Sequence, residues 1–119
     1  TFLQKIKSDD QIEIWGDGSV VRDFIYVSDL ASLCVKAGGS EYCGILNAGS
    51  GVGHSIRDVL TVSLQSANCA SEPVYKQGRS YDVPSVVLDI SKAVKNLNWQ
   101  PNVSLTEGVN KTWQWTKLV

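Results

Sequence analysis

Ile14-Trp15-Gly16-Asp17-Gly18-Ser19-Val20-Val21-Arg22-Asp23-Phe24-Ile25-Tyr26-Val27-Ser28-Asp29-Leu30-Ala31 is the stretch that decides how this chain folds. Upstream of Gly16, residues Gln11 to Trp15 alternate polar and apolar side chains, the period of a half-buried strand. Asp17, Gly18 and Ser19 turn the chain, and Val20 to Val27 reads as a second strand. Ser28 then offers a hydroxyl cap, and Leu30, Leu33, Cys34 and Ala37 recur at helical spacing until Gly38 and Gly39 stop the helix. The stripe makes Cys34 an expected buried, inert thiol. The result is a strand-to-helix unit that delivers one fixed cation, Arg22, from the mouth of a strand.

The same alternation continues outward. Gly44 to Asn47 is expected as a short apolar strand running into the glycine-rich loop Ala48-Gly49-Ser50-Gly51-Val52-Gly53, with Ser55 capping a helix striped by Ile56, Val59, Leu60 and Leu64. Pro73 to Gln77 and Val83 to Leu88 are extended, and Asp89 caps a helix carrying Ala93, Val94 and Leu97. Ser104 and Glu107 have capping-box spacing for a last helix, with Leu105, Val109 and Trp113 along one face. Alternating strands and helices predict a mixed α/β fold, and residues 1–119 form one domain without repeats or linkers.

Composition narrows the function classes. With 119 residues and a net charge of −1, basic side chains are too few and too scattered for a nucleic-acid interface. No apolar run approaches the length of a membrane span and no leader pattern is present, so the expectation is a soluble protein. Three cysteines at irregular spacing fit a reducing compartment, hence the cytoplasm, and with one histidine they offer no metal-ligand cluster. The chain lacks methionine and opens on Phe2 and Leu3 as if on the tail of an amphipathic helix, which reads as a piece of a longer polypeptide.

Two of the three arginines stand beside strands in loops: Arg22, and Arg79 in Gly78-Arg79-Ser80-Tyr81-Asp82. Planar five-donor guanidinium groups in such places suit a pair of phosphates, and they suit ordinary surface ion pairs as well. Asp82, ahead of Pro84, reads as the cap of a turn. Trp15 ends a strand next to the glycine turn and is the tryptophan placed at a ligand, whereas Trp99, Trp113 and Trp115 are expected to pack. His54 follows the glycine loop and is equally readable as structural or as a pocket contact.

Taken in order, the run from Ile14 to Ala31, Leu46 to Ser55 with its Asn-x-Gly-Ser-Gly loop, Gly78 to Pro84, and Leu88 to Trp99 with Pro101 resemble the C-terminal region of the extended short-chain dehydrogenases that act on nucleotide sugars, of the UDP-glucose 4-epimerase-like kind. The resemblance spans the whole chain. It implies that Arg22 and Arg79 grip the diphosphate, that Asp82 accepts from the ribose, and that Glu13 and Trp15 meet the base. Asp23 would orient the loop beside Arg22. Tyr81 departs from the glycine common at that place, which leaves the shape of the Arg79-to-Asp82 turn open.

The resemblance further implies a nucleotide-sugar ligand, with UDP favoured, and NAD as cofactor of the parent enzyme, held by a Rossmann part N-terminal to this region. No cofactor site is expected in this chain. It contains neither a dinucleotide glycine motif after a strand nor a tyrosine followed four residues later by lysine, so it is expected to be inactive alone. Epimerase, dehydratase, decarboxylase and reductase all remain compatible, as does a standalone binding or interaction module. In the family fold the segment around Leu46 enters the sheet of the Rossmann part, so an exposed edge and homo-oligomerisation are expected.

Overall fold

The computed structural model describes residues 2–119; Thr1 lies outside them. The order is α1 (Phe2–Lys7), β1 (Glu13–Trp15), β2 (Val21–Asp23), α2 (Val27–Gly38), β3 (Gly53–Ser55), α3 (Ile56–Ala67), β4 (Val74–Lys76), β5 (Ser85–Val86), α4 (Ser91–Leu97) and α5 (Leu105–Leu118). Mixed α/β is therefore the architecture. β1 and β4 pair in parallel, while β2 is the centre of a three-stranded sheet, antiparallel to β3 and parallel to β5.

Two separate cores hold these elements. Leu33 of α2 meets Ala93 and Leu97 of α4 and Trp99 beyond it, with Ile25, Leu46 and Ala48 packed around them. Trp99 closes this core by donating its indole N–H to Ser32 Oγ at 2.8 Å. Ile12, Ile14 and Leu60 form the second core, joined by Phe2, Ile6, Ile56 and Leu64 from α1 and α3. Buried Asp29 ties the first core to the start of α5, its Oδ2 accepting from the backbone N–H of Asn102 and Val103 at 3.0 and 2.9 Å.

Local chemistry sets the helix starts. Ser55 and Asp58 make a reciprocal capping box on α3. Ser104 Oγ accepts from the Glu107 N–H at 3.2 Å, while the Glu107 carboxylate turns outward to Lys111. Asp89 accepts from the Ser91 N–H at 2.9 Å, although the α4 cap position falls on Ile90.

Four expectations need correction. The second strand ends at Asp23 and α2 begins at Val27 with Tyr26 as its cap, placing Ser28 inside the helix. β3 and β5 are only three and two residues long, so beyond Asp23 no ladder partner continues. Gly44 to Asn47 forms no strand for the same reason: among the described residues no strand pairs with it. Cys34 is exposed, since α2 turns Leu33 and Ala37 to α4 and nothing covers the other half of its stripe. Trp115 is 61% exposed rather than packed, on the side of α5 that looks into an open cleft.

Candidate functional site

β2 carries Arg22 between two neighbours, and its guanidinium reaches across β5 to the preceding loop. Arg22 Nη1 donates to the carbonyl of Val21 at 2.7 Å and of Val83 at 2.8 Å. Three N–H donors on Nε and Nη2 remain for other partners. The loop it holds is the one that carries Arg79, closed by an Asp82 N–H to Arg79 carbonyl bond of 3.2 Å. Asp82 is half-buried inside that turn.

At the other end of the loop the β1–β4 pair supplies an aromatic platform. The Arg79 guanidinium lies over the Trp15 ring, 4.9 Å from its centroid. β1 and β4 stay in register until Gly16, whose N–H donates to the Lys76 carbonyl at 3.0 Å. There Gly16 and Gly78 approach so closely that a Cβ on Gly78 would stand 3.2 Å from the Gly16 Cα. Glu13 pairs with Lys76 at 3.4 Å. Lys76 went unread in the sequence, although it occupies the register position opposite Trp15.

The structure thus brings Trp15 and Arg79 into contact and ties Arg22 to the loop that Arg79 enters. Glu13 sits two residues before Trp15 on the same strand face.

Asp23 organises the wall beside Arg22. Its Oδ1 accepts from the Ser50 N–H and hydroxyl at 2.6 Å each, and Oδ2 accepts from the N–H of Gly51 at 2.9 Å and of Leu88 at 3.2 Å. Partial burial pushes this carboxyl upward, but the bonds from Ser50, Gly51 and Leu88 outweigh it and hold the group below its ordinary value. A Cβ at Gly49 would meet Asp23 Oδ2 at 2.6 Å, so a larger residue there displaces the carboxylate from its donors. The glycine-rich loop therefore spends the Ser50 and Gly51 N–H groups on an internal carboxylate. Those two donors are therefore not free for a dinucleotide phosphate at this loop.

A cleft of about 790 Å³ lies elsewhere, between α1, α3, α5 and residues 24–26. Phe2, Phe24, Val59, Val109 and Trp115 give it apolar walls, and of the five predicted site residues only Glu13 borders it. A dianion would find little to hold it there. Among the described residues no cluster of potential metal ligands occurs, and no helix is long and apolar enough to cross a membrane.

This architecture is that of the C-terminal region of the extended short-chain dehydrogenases. Within that class the chain belongs to the GDP-mannose 4,6 dehydratase family, which it matches over residues 1–112. UDP-glucose 4-epimerase of Mycolicibacterium smegmatis is 35% identical over 112 residues, covering 93% of this chain and 36% of the relative. The crystal structure of UDP-glucose 4-epimerase from Thermotoga maritima with UDP-glucose superposes with a TM-score of 0.93 at 32% identity, covering 98% of this chain and 38% of that one. UDP-glucose 4-epimerase from Bifidobacterium longum, solved with NAD+ and UDP, superposes with a TM-score of 0.87 at 25% identity, again over 98% and 38%. GDP-L-fucose synthases of Arabidopsis thaliana are also similar. The chain spans little more than a third of the length of these relatives.

Proposed function

We propose that this chain is the nucleotide-sugar-binding part of an NAD-dependent epimerase, clamping a UDP-sugar by its diphosphate and nucleoside. The observation that carries the reading is the shared loop: Arg22 is bonded to Val83 at one end, and Arg79 is seated on Trp15 at the other. Arg22 is thereby tied to the loop that bears Arg79, and a pair of guanidinium groups suits recognition of a pyrophosphate. Asp82 within the turn serves the ribose, while Glu13 and Trp15 offer a strand edge and an aromatic face to the base. Likeness to epimerases solved with UDP-glucose or with UDP supports this ligand class. NAD belongs to the parent enzyme and to a preceding Rossmann part, so the 119 residues alone do not turn over substrate. A same-family reductase is the second reading, on the similarity to GDP-L-fucose synthases.

Two charge-assisted contacts of about 1.5–3 kcal/mol each sum to a value near the roughly 4 kcal/mol of millimolar affinity before ordering costs are counted, so binding is weak. NMR titration with UDP and GDP is therefore the suitable assay. Binding of UDP should weaken about tenfold or more in Arg22→Ala and in Arg79→Ala. Equal affinity of the parent chain and both variants would overturn the site, and preference for GDP would move the assignment to the second reading.

A further inference from the structure

We propose that His54 is a third, titratable cation of the diphosphate site, making nucleotide-sugar affinity rise as pH falls through the imidazole range. The inference rests on the ligand class proposed above. It extends that reading to a residue whose role the sequence leaves open.

Register carries the argument. In the antiparallel β2–β3 ladder, Val21 stands opposite Ser55, Arg22 opposite His54, and Asp23 opposite Gly53. Directly opposed residues project to the same face of a sheet with Cβ atoms about 4.5–5.5 Å apart. His54 is therefore the cross-strand neighbour of Arg22, on the flank away from β5, and both side chains are half-buried. Arg22 reaches Val83 on the β5 side, which leaves His54 to border the opposite flank of whatever anion Arg22 holds. Gly53 precedes His54 without a side chain of its own, and a Cβ there would stand 2.7 Å from Val21 Cγ1 and Val87 Cγ2. The ladder can therefore not slip by one residue and still place an imidazole opposite Arg22.

The charged groups around His54 are few. Arg22 faces it from β2 with Asp23 next along that strand, Asp23 being engaged by Ser50, Gly51 and Leu88. β5 contributes Val86, uncharged, at the Arg22 register. α3 contributes Arg57, bonded to the Asp17 carbonyl at 2.6 Å, and Asp58, bonded to Ser55. Asp58 is close enough that His54 adds to the lowering of its carboxyl, after the larger effect of the Ser55 hydrogen bonds. Two negative charges of a pyrophosphate bound at Arg22 favour the charged form of a neighbouring imidazole, so binding takes up a proton.

UDP-glucose is the probe because its diphosphate diester keeps two negative charges throughout the range, and His54 is the chain's single histidine. Affinity is measured by NMR titration at about pH 5.5 and about pH 7.5, on either side of the ordinary imidazole value of about 6.5. The parent chain should bind about fivefold tighter at the lower pH. His54→Asn should bind with the weaker affinity at both, and His54→Lys with the tighter affinity at both. A parent chain with no pH dependence, or one retained in His54→Asn, overturns the role of His54 while leaving the arginine site standing. Unaltered binding in Arg22→Ala and Arg79→Ala, or no binding at all by the parent chain, overturns the ligand reading and this inference with it.

Discussion

Asp23 decides more of the local geometry than either arginine. A single carboxylate gathers the glycine loop and the approach to α4, with bonds from Ser50, Gly51 and Leu88. Asp23→Ala leaves those donors without their acceptor and is expected to cost about 2–3 kcal/mol, while Asp23→Asn, which keeps one acceptor oxygen, costs less. Thermal unfolding of the three chains checks the ranking, and equal midpoints would refute it. The pH dependence has a definite sign. Because the folded carboxyl titrates below its ordinary value, its contribution is complete above the unfolded value of about 3.9 and disappears as pH falls through the lower folded one. Asp17, Asp58 and Asp89 are lowered by hydrogen bonds from Ser19, Ser55 and Ser91 and act in the same direction. Acid unfolding should therefore steepen below about pH 4, and less so in Asp23→Asn.

At the scale of elements, what local chemistry writes could be read and what tertiary pairing writes could not. Ser55 sits two residues past a glycine loop and three before an acid, so its capping of α3 was legible and is present as a full capping box. Ser55→Ala should cost about 1 kcal/mol, measured by chemical denaturation, whereas Ser66→Ala farther along α3 should cost less than half of that. The Phe24-to-Tyr26 run has the same β-type composition as β2, yet it leaves the ladder because its partners stop first. Gly44 to Asn47 likewise has strand composition and no partner among the described residues. The arginine loop divides the same way: that Trp15 and Arg22 stand on short strands beside a glycine turn was legible. Lys76 and the Arg22–His54 pairing depend on register between strands up to 61 residues apart, as in Trp15 to Lys76, which no local pattern encodes.

The whole molecule is a plate. Its extents are 48 × 37 × 17 Å, and its radius of gyration of 16.3 Å exceeds the roughly 13–14 Å expected of a compact chain of this length. So thin a layer cannot enclose one core, which is why the apolar interior splits into two clusters and leaves large side chains outside. Val27, Leu30 and Val35 stand exposed on α2, and Ile45, 84% exposed, lies in the strand-like segment that lacks a ladder. Trp115 looks into the apolar cleft from the far side. Water-exposed apolar area beside unpaired backbone favours association with any complementary surface, a second copy included. The isolated chain should therefore show a light-scattering mass that rises with concentration. Val35→Lys with Ile45→Lys, which place charges on the uncovered face and touch neither core, should shift the distribution toward monomer without lowering the unfolding midpoint. A mass equal to one chain at every concentration would mean that the plate is self-sufficient, and the exposed α2 face would then need no partner to explain it.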